Sequence, residues 1–105
     1  MAHEKGSSAF YNDVDQTTAE ICTSGLVKQS LASFMTPVTY TAADIKVPKR
    51  YVACKVDQAV PFEAQVALGK AAGAEVFEFA SGHSPFLKET ERSRLLEIVT
   101  DVAAF

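Results

Sequence analysis

The chain has 105 residues, 48% of them hydrophobic and 22% charged, with a formal net charge of -3. That is enough for one domain with a real core and little stability to spare. Cationic residues are scattered, as in Lys46, Lys49 and Arg50 and again in Lys88, Arg92 and Arg94, and no basic patch interleaves with aromatics, which argues against nucleic acid as a partner.

Residues 1–9, MAHEKGSSA, are polar and small and are expected to fray, with His3 carrying no evident role. In FYNDVDQTTAEICTSGL, Asp13 with Gln16 three residues later forms a capping-box pattern, and Asp15 is a second cap. A helix is predicted over 14–24, ending at Gly25 as a left-handed terminator. Its apolar face, Val14, Ala19, Ile21 and Cys22, is weak. LVKQSLASF reads as a second short helical piece up to Met35. TPVTYTAADIKVP reads as a connector, because Pro37 and Pro48 both disfavour helix.

From Arg50 the pattern sharpens. RYVACKV is β-branched, aromatic and almost wholly apolar, as strands buried on both faces of a parallel sheet are. After Asp57, the stretch AVPFEAQVALGKAAGA has Pro61 at a helix start, Gly73 just past its end, and Phe62, Val66, Leu68 and Ala71 as an apolar stripe. AEVFEFA is a second strand, more exposed at Glu75 and Glu78. A loop, SGHSPFLKE, leads to a helix over 90–104 with Leu95, Leu96, Ile98, Val99 and Val102 at helical spacing. Strand, helix, strand, helix predicts an α/β fold, its two strands parallel and joined by a right-handed crossover.

In that fold both strand-end loops lie at one edge of the sheet, where open α/β sheets bind ligands. One loop carries Asp57 and the other His83. A carboxylate beside an imidazole orients the ring, fixes its tautomer and stabilises the imidazolium formed when it accepts a proton. Gly82 frees the backbone beside the histidine and Pro85 stiffens the exit. The plainer reading makes Asp57 a helix cap and His83 a surface turn residue.

YVACKVDQAVPFEAQ and VFEFASGHSPFL resemble the C-terminal portion of α/β-hydrolase-fold proteins, in the esterase-like group that includes methylesterases and hydroxynitrile lyases. There a D-x-A-V/I-P motif supplies the acid of a Ser-His-Asp triad and a G-H-S/M-P motif the base. Asp57 resembles that acid and His83 that base. FYND and QSLASFMTPVTY are similar to the end of the group's cap. The resemblance implies a helical cap-like segment over 10–48 and a βαβα portion of the hydrolase domain over 49–105, after a disordered 1–9.

The chain departs from the pattern in one place that matters. It contains no G-x-S-x-G nucleophile elbow. Its early KGSSAF has no strand before it, and the loop that would furnish oxyanion-hole amides has no counterpart. The expectation is an acid and base without their serine: a carboxylic-ester-hydrolase lineage inactive alone, truncated or completed by another chain. The alternative is a non-catalytic module binding a small molecule or a protein. A proton-shuttling dyad without serine is disfavoured, because half a pocket excludes water poorly.

A two-stranded parallel sheet is marginal in water, so the bare edge of RYVACKV is expected to drive self-association or to recruit a complementing chain. The expected substrate, if the site is completed, is a small apolar ester or carbonyl compound. Cys22 and Cys54 form no C-x-x-C and have no histidine at ligand spacing, so no metal is expected, and no cofactor motif is present. The two thiols read as buried and reduced, and Cys54 as core. No apolar leader and no run near the ~18 residues of a membrane span is visible, so the reading is cytoplasmic, with no membrane partner. Ser81 and Ser84 read as local loop residues, Glu63 and Gln65 as solvated helix positions, and Phe34, Tyr40, Phe86 and Leu87 as packing residues.

Overall fold

RYVACKV and AEVFEFA form the only sheet among the described residues, a parallel pair of five-residue strands: β1 (Arg50–Cys54) and β2 (Glu75–Phe79). The computed structural model describes residues 3–103, with side chains over 6–101. Register runs from Arg50 opposite Glu75 to Cys54 opposite Phe79, so both strands finish level with each other. Before them come α1 (His3–Phe10), α2 (Gln16–Ser24) and α3 (Leu31–Met35); α4 (Phe62–Ala71) is the crossover and α5 (Glu89–Ala103) closes the chain.

The two later helices contact opposite faces of the strand pair. Gly69 of α4 lies against Tyr51 and Val76, which share one face. On the other face the Arg94 guanidinium of α5 stacks over the Phe79 ring at 4.4 Å, and Arg50 reaches the Ile98 carbonyl at 3.1 Å. Phe79 and Ala53 are fully buried, and Cys54 and Ile98 nearly so.

Several sequence expectations change. The start of the chain, expected to fray, is helical from His3 to Phe10 and packs on α2; residues 1–2, and the His3 and Val102 side chains, lie outside the description. Asp15, not Asp13, caps α2, accepting the Thr18 amide at 2.9 Å, which holds its carboxyl below the ordinary value. Gly25 ends α2 at φ −86°, in the right-handed region. The stretch expected to be helical from Leu26 forms a helix only over Leu31–Met35. The buried positions of α4 are Gln65 and Gly69, whereas Leu68 is exposed, because the helix turns its 62, 65, 66, 69 face to the strands.

Much apolar surface stays in water. Phe34, Tyr40 and Phe86, expected to pack, are exposed, as are Met35, Val38, Leu96 and Val99. The chain exposes 7582 Å², where area scaling gives about 5,700 Å² for a compact protein of its mass. Its radius of gyration is 15.2 Å, against about 13 Å for a compact chain of this length. The α/β architecture is that of a sheet with unfilled flanks. Among the described residues no helix is long and apolar enough to cross a membrane.

A methyl group at Gly69 would stand 2.8 Å from Val76 Cγ2 and 3.2 Å from Tyr51. Gly69→Ala should therefore cost ~1–3 kcal/mol by overpacking, read as a lower midpoint in urea denaturation; an unchanged midpoint would show that α4 does not pack tightly on the strands.

Candidate functional site

Because β1 and β2 end level, the loops that follow them stand side by side. Asp57 lies in the first and His83 in the second, and His83 Nδ1 is 2.9 Å from Asp57 Oδ2. A carboxylate only accepts, so Nδ1 carries the proton and Nε2 is left as the basic nitrogen. The Asp57 side chain is 4% exposed and that of His83 39%. The acid is thus shielded while the base faces outward. Asp57 Oδ1 accepts the amides of Ala59 at 2.7 Å and Val60 at 3.3 Å, so one oxygen fixes the turn and the other faces the ring. The carboxylate does not cap α4, whose N-cap is Pro61 with no side-chain bond.

The acid's loop is held from α4. Gln65, expected to be solvated, is 3% exposed. Its Oε1 accepts the Cys54 amide at 2.8 Å, and its Nε2 donates to Val60 O at 2.8 Å, Cys54 O at 3.1 Å and Asp57 Oδ2 at 3.4 Å. A buried amide must be satisfied or it destabilises the fold, and here the partners are the ends of the loop that carries Asp57. Gln65 shares a helical face with Gly69, which lies against Tyr51 and Val76, a placement that only the fold reveals.

The base's loop is held from the N-terminal segment. Asp13 Oδ2 accepts the Gly82 amide at 2.8 Å, and Ser84 Oγ donates to Phe10 O at 2.8 Å. Ser84 therefore anchors across the fold and not within its own loop, while Ser81 Oγ also bonds within the loop, 3.3 Å from Gly82 O. The Phe10 ring lies 5.1 Å from the imidazole, tilted by 47°. Asn12 Nδ2 reaches the acid's loop at Val56 O, 2.7 Å away, so residues 10–13 bridge both loops. A side chain at Gly82 would collide with Asn12 and Asp13; the glycine is needed for close approach, since Gly73 is the one with positive φ among the described residues. Lys88 adds an ion pair to Asp13 at 3.6 Å and a bond to Ala80 O.

Tyr51, Val60 and Pro85 wall a cavity of about 200 Å³ beside Asp57 and His83. Cys54 also borders it. Burial pushes its thiol up from the ordinary value, opposed only in part by a hydrogen bond with Ser81. The thiolate is the nucleophilic form, so this cysteine is unsuited to stand in for a serine. Cys22 is only half-buried, unlike the expectation for both thiols. No cluster of three or more metal-ligating side chains occurs among the described residues.

The chain is 29% identical over 90 residues to an α/β hydrolase, nvfD, of Aspergillus novofumigatus; the match covers 84% of the chain and 36% of that protein. The chain thus spans about a third of the length of the curated relative it matches. No family model matches the chain. No solved structure matches it. The likeness supports the α/β-hydrolase superfamily and no narrower group within it.

The Asp13–Gly82 contact makes a measurable demand. A hydrogen bond to a charged group contributes roughly 1.5–3 kcal/mol, so Asp13→Ala should speed exchange of the Gly82 amide roughly ten- to a hundredfold. Hydrogen exchange followed by NMR reads this directly; equal rates would show that residues 10–13 do not restrain the base's loop.

Proposed function

We propose that the chain carries the acid and base of a Ser-His-Asp carboxylic-ester hydrolase site, without the nucleophile. The observation that carries this reading is the shielded Asp57 carboxylate 2.9 Å from His83 Nδ1. The distant α/β-hydrolase likeness agrees with it, and the sequence holds no G-x-S-x-G. Where a serine is supplied from outside this chain, its Oγ would bond to the acyl carbon of a small apolar ester as His83 Nε2 takes the hydroxyl proton. Asp57 would hold the resulting imidazolium. The proton would pass from Nε2 to the departing alkoxide, and water, activated by the same nitrogen, would then release the acid. Residues 10–48 would serve as a cap-like segment over the reacting centre.

Hydrolysis of p-nitrophenyl acetate by the purified chain tests this. The expected result is a rate no greater than that of His83→Ala. An esterase rate that disappears in the variant would mean a complete site in this chain and overturn the reading.

A second reading, a non-catalytic binding module, is favoured by the exposed apolar side chains and by β1, which among the described residues pairs with β2 alone. Under either reading the β1 edge away from β2 is an adhesive surface. Sedimentation should show species heavier than the 11.3 kDa monomer at micromolar concentration. A monodisperse monomer with a sharp thermal transition would remove that expectation.

A further inference from the structure

Parity along β1 gives Gln65 an unusual place. Lys49 O and Lys55 N bond towards β2, so the odd-numbered residues of this stretch turn their peptide groups to the partner strand. The even-numbered ones, Arg50, Val52 and Cys54, turn theirs to the open edge. At Cys54 one side chain meets both outward groups: the amide donates to Gln65 Oε1, and the carbonyl accepts from Gln65 Nε2 as well as from the Asp57 amide at 3.4 Å. Gln65 therefore occupies the place that the peptide of a further strand would take.

The same amide group reaches the far end of the acid's loop at Val60 O, 2.8 Å away. It clamps the loop between Cys54, the last residue of β1, and Val60, with Asp57 between them. It also faces Asp57 Oδ2 at 3.4 Å, the oxygen that meets His83. Two hydrogens are shared among three acceptors, with Val60 and Cys54 the nearer pair. Gln65 thus acts on the carboxylate chiefly through the loop and secondarily by direct donation.

We propose that Gln65 is a positioning residue for the Asp57–His83 pair, holding Oδ2 towards Nδ1 from the closed end of the β1 edge. This rests on the reading of that pair as an acid–base unit. The imidazole tautomer should then depend on Gln65. With Asp57 held, the proton stays on Nδ1 and Nε2 remains basic. With the loop released, the ring should drift to the Nε2–H form that a free histidine prefers.

The chain has two histidines, so ring nitrogens are readily assigned by long-range ¹H–¹⁵N correlation. Three samples of the full chain are compared at a pH where the ring is neutral: wild type, Asp57→Asn and Gln65→Met. The expected result is an Nδ1–H signature in the wild type, its loss in Asp57→Asn, and a shift towards the latter in Gln65→Met with β1–β2 cross-strand contacts intact. A wild-type signature in folded Gln65→Met would overturn the proposal and leave Gln65 an edge cap only. Identical wild-type and Asp57→Asn spectra would overturn the pair itself, and this proposal with it. Should Gln65→Met not fold, the wild type decides: the Gln65 side-chain amide resonances should move with the same pH midpoint as the His83 ring, and resonances indifferent to that titration would overturn the proposal.

Discussion

In a parallel pair both strands run out at the same edge, so whatever follows them is delivered to one place. The level register of β1 and β2 makes that delivery tight: Cys54 and Phe79 are opposite each other, and Asp57 and His83 lie a few residues beyond. A hydrogen bond across a wide sequence gap follows from five pairs of residues. An antiparallel arrangement would have sent the two loops to opposite ends of the sheet.

Strand pairing alone leaves loops free to wander, and here polar side chains limit them. Gln65 ties the acid's loop to α4, and Asp13 ties the base's loop to the N-terminal segment. Asn12 crosses from one to the other. The Cys54 amide, which is buried, finds its partner in Gln65. The stability of the loops and the geometry of the pair are therefore one requirement: what keeps the backbone satisfied also keeps the carboxylate facing the ring.

Few side chains pack around this centre. The core is a handful of residues, and the segment between α2 and β1 is exposed almost throughout. The structure sets Asp57 against His83 while leaving many apolar side chains in water. The relative it resembles is much longer, and the match falls on about a third of it.

The βαβα order from Arg50 was legible because buried strands, proline-started helices and glycine stops leave strong local signals. The candidacy of Asp57 and His83 followed from those signals, since each sits just past an apolar strand. Residues before Arg50 were harder to read: α1 has a polar, serine-rich sequence, and two acids compete for the cap of α2. What no local rule could assign was the use of Asp13, Asn12, Ser84 and Gln65. Their partners lie 69, 44, 74 and 11 residues away, so each looks like an ordinary cap, turn or solvated helix position until the chain is folded. The sequence by itself determined which residues could do acid–base chemistry and on which strand ends they stand. Only the tertiary structure decided what holds them there, because a hydrogen bond between distant residues depends on where the backbone brings its donors and acceptors, and periodicity carries no record of that.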